Sequence, residues 1–247
     1  VGKKSEKSSG KGKGKKLFRL LIGLVVIAAV LEFGGRFEAS RLAENALETT
    51  GGAESADVTI GAQIWRPALL PALAGKPLDQ LSAELVNVKV GPLNVDQINY
   101  ELNDVVVDLD LSKRPVHLTS IGSGQVMMQI ASGSLAAVLG TAVEITGGQV
   151  LVGPNRQKAD LTVSGGQLTV RVAETGRTFE PLPVDDPDLL PCPPTVAVTN
   201  ERVVLACTGN RLPGIVKRSL DPLRTDVPVR KGADVAPPAS TPTRSGG

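Results

Sequence analysis

The chain has 247 residues, 41% hydrophobic and 21% charged, enough for one sizeable domain with its own core and too little for two large ones. Its net charge of +2 is unevenly spread: seven lysines and Arg19 stand against one acid within residues 1–19, whereas residues 20–247 hold 19 basic and 24 acidic residues. The bulk of the chain carries no basic stripe, which excludes nucleic acid as an expected partner.

Residues 1–16 are Gly, Ser and Lys with almost nothing apolar, and read as a disordered basic tail. An apolar run from Leu20 to Leu31 follows, closed by Glu32-Phe33. Leu17 to Phe33 is 17 residues, the short limit for a helix that spans a bilayer. The expectation is a single transmembrane anchor over 17–35, with Arg19 snorkelling to the head groups. A cleaved signal peptide is the rival reading, but small residues are not placed at a cleavage spacing: Ala28-Ala29-Val30 puts Val at the cut. By the positive-inside rule the lysines stay cytoplasmic in either case, and residues 36–216 form an extracytoplasmic domain.

Arg36 to Thr49 continues as a helix, with Ala39, Leu42, Ala43 and Ala46 as its apolar stripe and Gly51-Gly52 as its end. Val58, Ile60 and Ala62 alternate as a first strand. Trp65 to Gly75 is apolar but interrupted by Pro67 and Pro71, which suits a short helix or loop. From Leu78 the pattern is β. Val86, Val88 and Val90 alternate against Asn87 and Lys89, and Gly91-Pro92 turns the chain.

The next strand keeps period 2 but changes phase twice. Leu93 and Val95 share one face, Ile98, Tyr100 and Leu102 the alternate parity, and Val105, Val107, Leu109 and Leu111 the first again. Each phase change implies a bulge or a sharp bend, so the strand belongs in a long, curved antiparallel sheet. Val116–Ile121 and Gln125–Ile130 continue the sheet. Ser134 reads as the N-cap of a short helix ending at Gly140. Two hairpins then turn on Gly147-Gly148 and Gly165-Gly166. Glu180 to Pro194, rich in Pro and Asp, reads as a loop, and 217–247 as a disordered tail.

Cys192 and Cys207 bracket the β-branched runs Thr195–Val198 and Val203–Ala206, both equidistant from the point between Thr199 and Asn200. A two- or four-residue loop would set them opposite each other, a geometry suited to a disulfide in an oxidising compartment; two free buried thiols are the alternative. No cofactor or metal is expected. The signatures of P-loops, zincins, C-x-x-C sites and nucleophile elbows are missing, so no enzyme activity is expected. His117 lies among strand residues, and Asp185, Asp186 and Asp188 read as a solvated acidic loop ahead of a calcium site.

The order of pieces now carries a resemblance: RLAENAL, then ADVTIGA, LAGKPLDQL, SAELVNVKVGPLNVDQINYELNDVVVDL, SGSLAAVLG and the Gly-Gly hairpins. Together, over roughly residues 20–216, these resemble the LmeA-like family of phospholipid-binding proteins of the actinobacterial cell envelope. The resemblance implies an α+β, mostly β fold similar to tubular lipid-binding domains, in which a long curved sheet wraps a helix and leaves a groove for acyl chains. It implies anionic phospholipid and the membrane as partners. The cysteine pair, the Pro-rich stretch at 181–194 and the lysine-rich leader depart from the family pattern.

The aliphatic groove would be lined by Val86, Val88, Val90, Ile98, Tyr100, Leu102, Val126, Met128 and Ile130; the same residues equally suit a packed core. Trp65, Leu69, Leu70 and Leu73 would form a mouth at the bilayer, since Trp favours the interface, or else bury Trp65 beside a capping helix. Between Thr50 and Lys217 only Trp65, Tyr100 and Phe179 are aromatic, through composition bias or because a deformable interior accepts acyl chains. Two functions stay open: a lipid-binding or lipid-transfer module of the envelope, and a structural envelope protein without a ligand.

Overall fold

The computed structural model describes residues 13–61, 67–109 and 116–219, with the side chains of 13–31, 69, 73, 108, 109, 116 and 117 outside the description. Helix α1 (Lys13–Gly51) is a single 39-residue rod, about 58 Å long at 1.5 Å per residue. The predicted span at 17–35 falls within it, but side chains 17–31 lie outside the described residues. Among the described residues no helix is long and apolar enough to cross a membrane. The predicted tails also lie mostly outside, although α4 (Gly214–Ser219) carries the fold past residue 217 and buries Ser219.

The described strands form two antiparallel sheets, where the pattern had suggested one. The first is seven-stranded. Its order is β1 (Ser55–Ile60), β2 (Leu78–Val90), β3 (Leu93–Leu109), β5 (Ser123–Ala131), β12 (Arg202–Gly209) and β11 (Thr195–Val198), with β4 (Val116–Ser120) pairing the far end of β3. The second runs β10 (Leu182–Pro183), β9 (Gln167–Val172), β8 (Gln157–Ser164), β7 (Gln149–Val152) and β6 (Val143–Thr146). Its two hairpins turn on Gly147-Gly148 and Gly165-Gly166, all four at positive φ, as tight type I′ turns require.

The phase changes of β3 are present, and β2 mirrors them. Leu93 and Val95 are buried, then Ile98, Tyr100 and Leu102, then Val105; on β2 the buried set is Val90 and Val88, then Leu85, Ala83 and Leu81, then Leu78. The β2–β3 register stays constant through both shifts, from Leu78↔Val105 through Leu85↔Ile98 to Val88↔Val95. The two strands therefore change face together, and the turnover residues Asn87 and Asp104 sit at φ +54 and +51. Asn and Asp are the side chains that tolerate this left-handed conformation best after glycine.

Helix α3 (Ser132–Leu139) bridges the sheets. It ends on Gly140 at φ +63 as expected, but Ser134 is not its N-cap. Asp96 of β3 instead holds the start of the helix in place, accepting from Ala131 N at 2.6 Å and Ser134 Oγ at 3.2 Å. The stretch 180–194 is a loop as expected, apart from the two residues of β10, and its acids are exposed or half-buried; between them Leu182, Val184, Leu189 and Leu190 are buried in the core. One contiguous cluster joins both sheets, α1, α3 and α4.

Candidate functional site

Helix α1 meets the domain along the edge of β1. Ala43 and Leu47, four residues apart, are its buried stripe, while Leu42, expected in that stripe, is exposed. Amides of alternate residues in an edge strand point away from the sheet. Here Glu48 and Glu44 of α1 accept them, from Ala56 N at 3.1 Å and Val58 N at 3.3 Å. Near the other end of the helical contact Glu32 is buried. Its carboxylate accepts from Ala68 N at 2.5 Å and Leu70 N at 2.9 Å and pairs with Arg36 at 2.8 Å. Glu32 thereby ties α2 (Leu69–Leu73) to α1 at the end of the apolar run. In the sequence it reads only as the charge that closes that run.

The proposed groove residues come together on one face of the first sheet. Ile98 stands opposite Met128 and Tyr100 opposite Val126; Val126, Met128 and Ile130 in turn face Cys207, Leu205 and Val203. Val86 is the exception. The phase change at Asn87 gives the inner position to Leu85 and leaves Val86 half-buried. Leu81, Leu85, Val203 and Leu205 belong to this face and were missed, because a hydrophobic run alone does not say which of its members faces inward.

This face is closed. Val88, Ile98 and Ile130 are 0% exposed and Tyr100, Leu102, Val126 and Met128 1%, so no water-sized space opens beside them. Tyr100 is the anomaly within it. Among the described residues its Oη is the buried side-chain polar atom left without a hydrogen-bond partner. Burial, and then the negative charge of Asp186, push its pKa far above the usual tyrosine value.

Of the proposed mouth, Trp65 lies outside the described residues, as do the side chains of Leu69 and Leu73; Leu70 is exposed. An open cleft of about 380 Å³ lies elsewhere, between edge strand β11 and the second sheet, lined by Gly147–Val150, Lys158–Leu161 and Val196–Val198.

Cys192 and Cys207 form a disulfide with Cα atoms 5.7 Å apart. Their strands are offset by two residues from the expected register: Val198 pairs with Val203 and Thr195 with Ala206. Thr199 causes the offset by closing the turn on Arg202, through N→O at 2.9 Å and Oγ1→O at 3.0 Å. An even offset preserves the strand face, so Cys207 still points inward and Cys192 reaches it diagonally from beside Gly209.

Of the acidic trio, Asp186 accepts from Asp188 N and Asp188 pairs with Arg218 at 2.5 Å. Among the described residues no group of three potential ligands could hold a metal. No protein-family model matches the chain, and no curated protein or solved structure matches it either.

Proposed function

We propose that this chain is a membrane-anchored, extracytoplasmic phospholipid-binding protein that receives acyl chains between its sheets during assembly of the cell envelope. The observation that carries the reading is Tyr100 Oη, an orphaned polar atom inside a core otherwise built of Val, Leu, Ile, Ala, Met and the disulfide-bonded Cys207. A buried hydroxyl without a partner costs about 1–3 kcal/mol, and a lipid ester carbonyl beside it would accept a hydrogen bond from it. Each methylene drawn out of water adds roughly 0.8 kcal/mol. The resemblance to LmeA-like proteins and the apolar run of α1 support the same reading. Because the interior is closed, loading requires an element to lift. The candidate is the 182–190 stretch, whose Leu182, Val184, Leu189 and Leu190 pack into the core and whose Asp186 charge acts on Tyr100.

A second reading has its own support. Side chains wholly cut off from solvent describe a finished core, as in a structural envelope protein that carries no ligand. Photo-crosslinking separates the two. The full chain in liposomes would be irradiated with a phospholipid bearing a diazirine near the end of one acyl chain, and the adducts mapped by peptide mass spectrometry. Adducts on the inner faces of β2, β3 and β5 are the expected result. Adducts confined to residues 17–37 and α2 would leave the structural reading standing.

A further inference from the structure

The described part of α1 carries exposed aromatic side chains where a helix in water would carry polar ones. Phe33 is 45% exposed and Phe37 61%, one turn apart on a single face, and Leu70 of α2 is 38% exposed. Leu70 is not free to withdraw. Its amide is bonded to Glu32, the residue before Phe33, and Glu32 is fixed in turn by Arg36 and Ala68 N. Leu70 is thus held close to Phe33 at the last residues of the apolar run, with Phe37 one turn beyond. Arg41 lies over the Phe37 ring at 5.5 Å, placing a cation on the domain side of the aromatic pair.

We propose that Phe33, Phe37 and Leu70 form the contact through which the folded domain rests directly on the head-group layer of the outer leaflet. The inference rests on the anchored reading given above and fixes where the domain sits. The axial distances suit this occupant. With Leu31 at the edge of the hydrocarbon, the helical rise puts Phe33 about 3 Å and Phe37 about 9 Å beyond it. The interfacial layer is roughly 6 Å deep on each side. Phe33 and the neighbouring Leu70 fall inside it. Phe37 starts about 3 Å past its edge and reaches back, since helical side chains lean toward the N-terminus, and Arg41, which lies over the Phe37 ring, is about 15 Å beyond Leu31 and stays in water. Leu42, 69% exposed, lies about 16 Å beyond Leu31 on another flank, and stays in water. Because α1 is one unbroken helix from the apolar run into the β1 edge, the contact also orients the sheet relative to the bilayer.

The test uses the full chain in phosphatidylcholine–phosphatidylglycerol liposomes, with the Cys192–Cys207 disulfide kept oxidised. Phe33→Cys, Phe37→Cys, Leu70→Cys and Leu42→Cys are each labelled with an environment-sensitive fluorophore. Labels at 33, 37 and 70 should lose quenching by aqueous iodide and gain quenching by a shallow lipid-attached nitroxide, and the label at 42 should do the reverse. A chain that floats with the liposomes while all four labels stay equally open to iodide overturns this inference and leaves the anchor intact. A chain that does not float overturns both. The acyl-chain photo-adducts report lipid uptake independently of either outcome.

Discussion

The two edges of the seven-stranded sheet are handled differently. At β1 the outward amides of Ala56 and Val58 are taken up by Glu48 and Glu44 of α1, so the edge is sealed by charge-assisted hydrogen bonds. At β11 the Thr199 N→Arg202 O bond fixes the alternation and turns the amides of Val196 and Val198 outward, toward the 380 Å³ cleft. The second edge is protected by being only four residues long and by the disulfide beside it. One edge is closed by a specific partner and the other by brevity and a covalent tie. Each should therefore fail in its own way.

The largest effect is expected at β11. Cys192→Ser with Cys207→Ser opens a loop of sequence separation 15, which should cost about 3 kcal/mol, read as a fall in the urea midpoint. In the oxidised wild type, hydrogen exchange should already be faster at Val196 and Val198 than at Ala56 and Val58. Equal protection at the four amides would abolish the distinction between the edges.

At β1, Glu44→Ala with Glu48→Ala should cost about 2 kcal/mol, since hydrogen bonds to charged groups are each worth about 1.5–3 kcal/mol before solvent screening. It should also bring the exchange of Ala56 and Val58 up to the β11 rate. Unchanged exchange would mean that the glutamates are ornamental and that packing of Ala43 and Leu47 seals the edge.

The smallest effect lies midway between the edges. Tyr100→Phe removes a buried hydroxyl without a partner, so at neutral pH it should be neutral or stabilise by up to about 1 kcal/mol. The folded-state pKa of Tyr100 is raised above the unfolded value near 10. The stability tied to it is therefore present below about pH 10 and is lost as pH rises above that. The variant should flatten that alkaline loss in thermal melts. A loss as steep as wild type would show that folding does not raise the pKa of Tyr100.

Much of the fold is legible in short sequence windows. The face changes of β3 follow from the parity of Val95, Ile98 and Val105, and both Gly-Gly turns from the need for positive φ. What pattern could not supply was the partner strand's response: Val86 alternates with Val88 in the sequence, yet Asn87 flips the backbone between them and Leu85 takes the inner place. The Pro-Asp stretch at 180–194 is the loop that its composition implies, but its buried residues stay hidden for a related reason. Turn residues mark where the chain bends, and the four buried apolar residues between the bends show only once there is a sheet for them to cover.

The candidate site divides along the same line. That Leu70 and the run from Leu20 to Leu31 are apolar was readable from composition, because transfer free energy belongs to each side chain by itself. That Glu32 would bury its charge to hold Leu70 beside Phe33 depends on two segments more than thirty residues apart meeting at hydrogen-bond distance, and nothing local encodes it. The sequence by itself determined strand parity, the turn positions, the identity of the disulfide partners and an aliphatic interior, all set by intrinsic properties of residues and their near neighbours. Only the tertiary structure decided the β11–β12 register, the sealed β1 edge and the closure of the core around Tyr100, because each depends on how distant segments pack and which backbone groups they leave for one another.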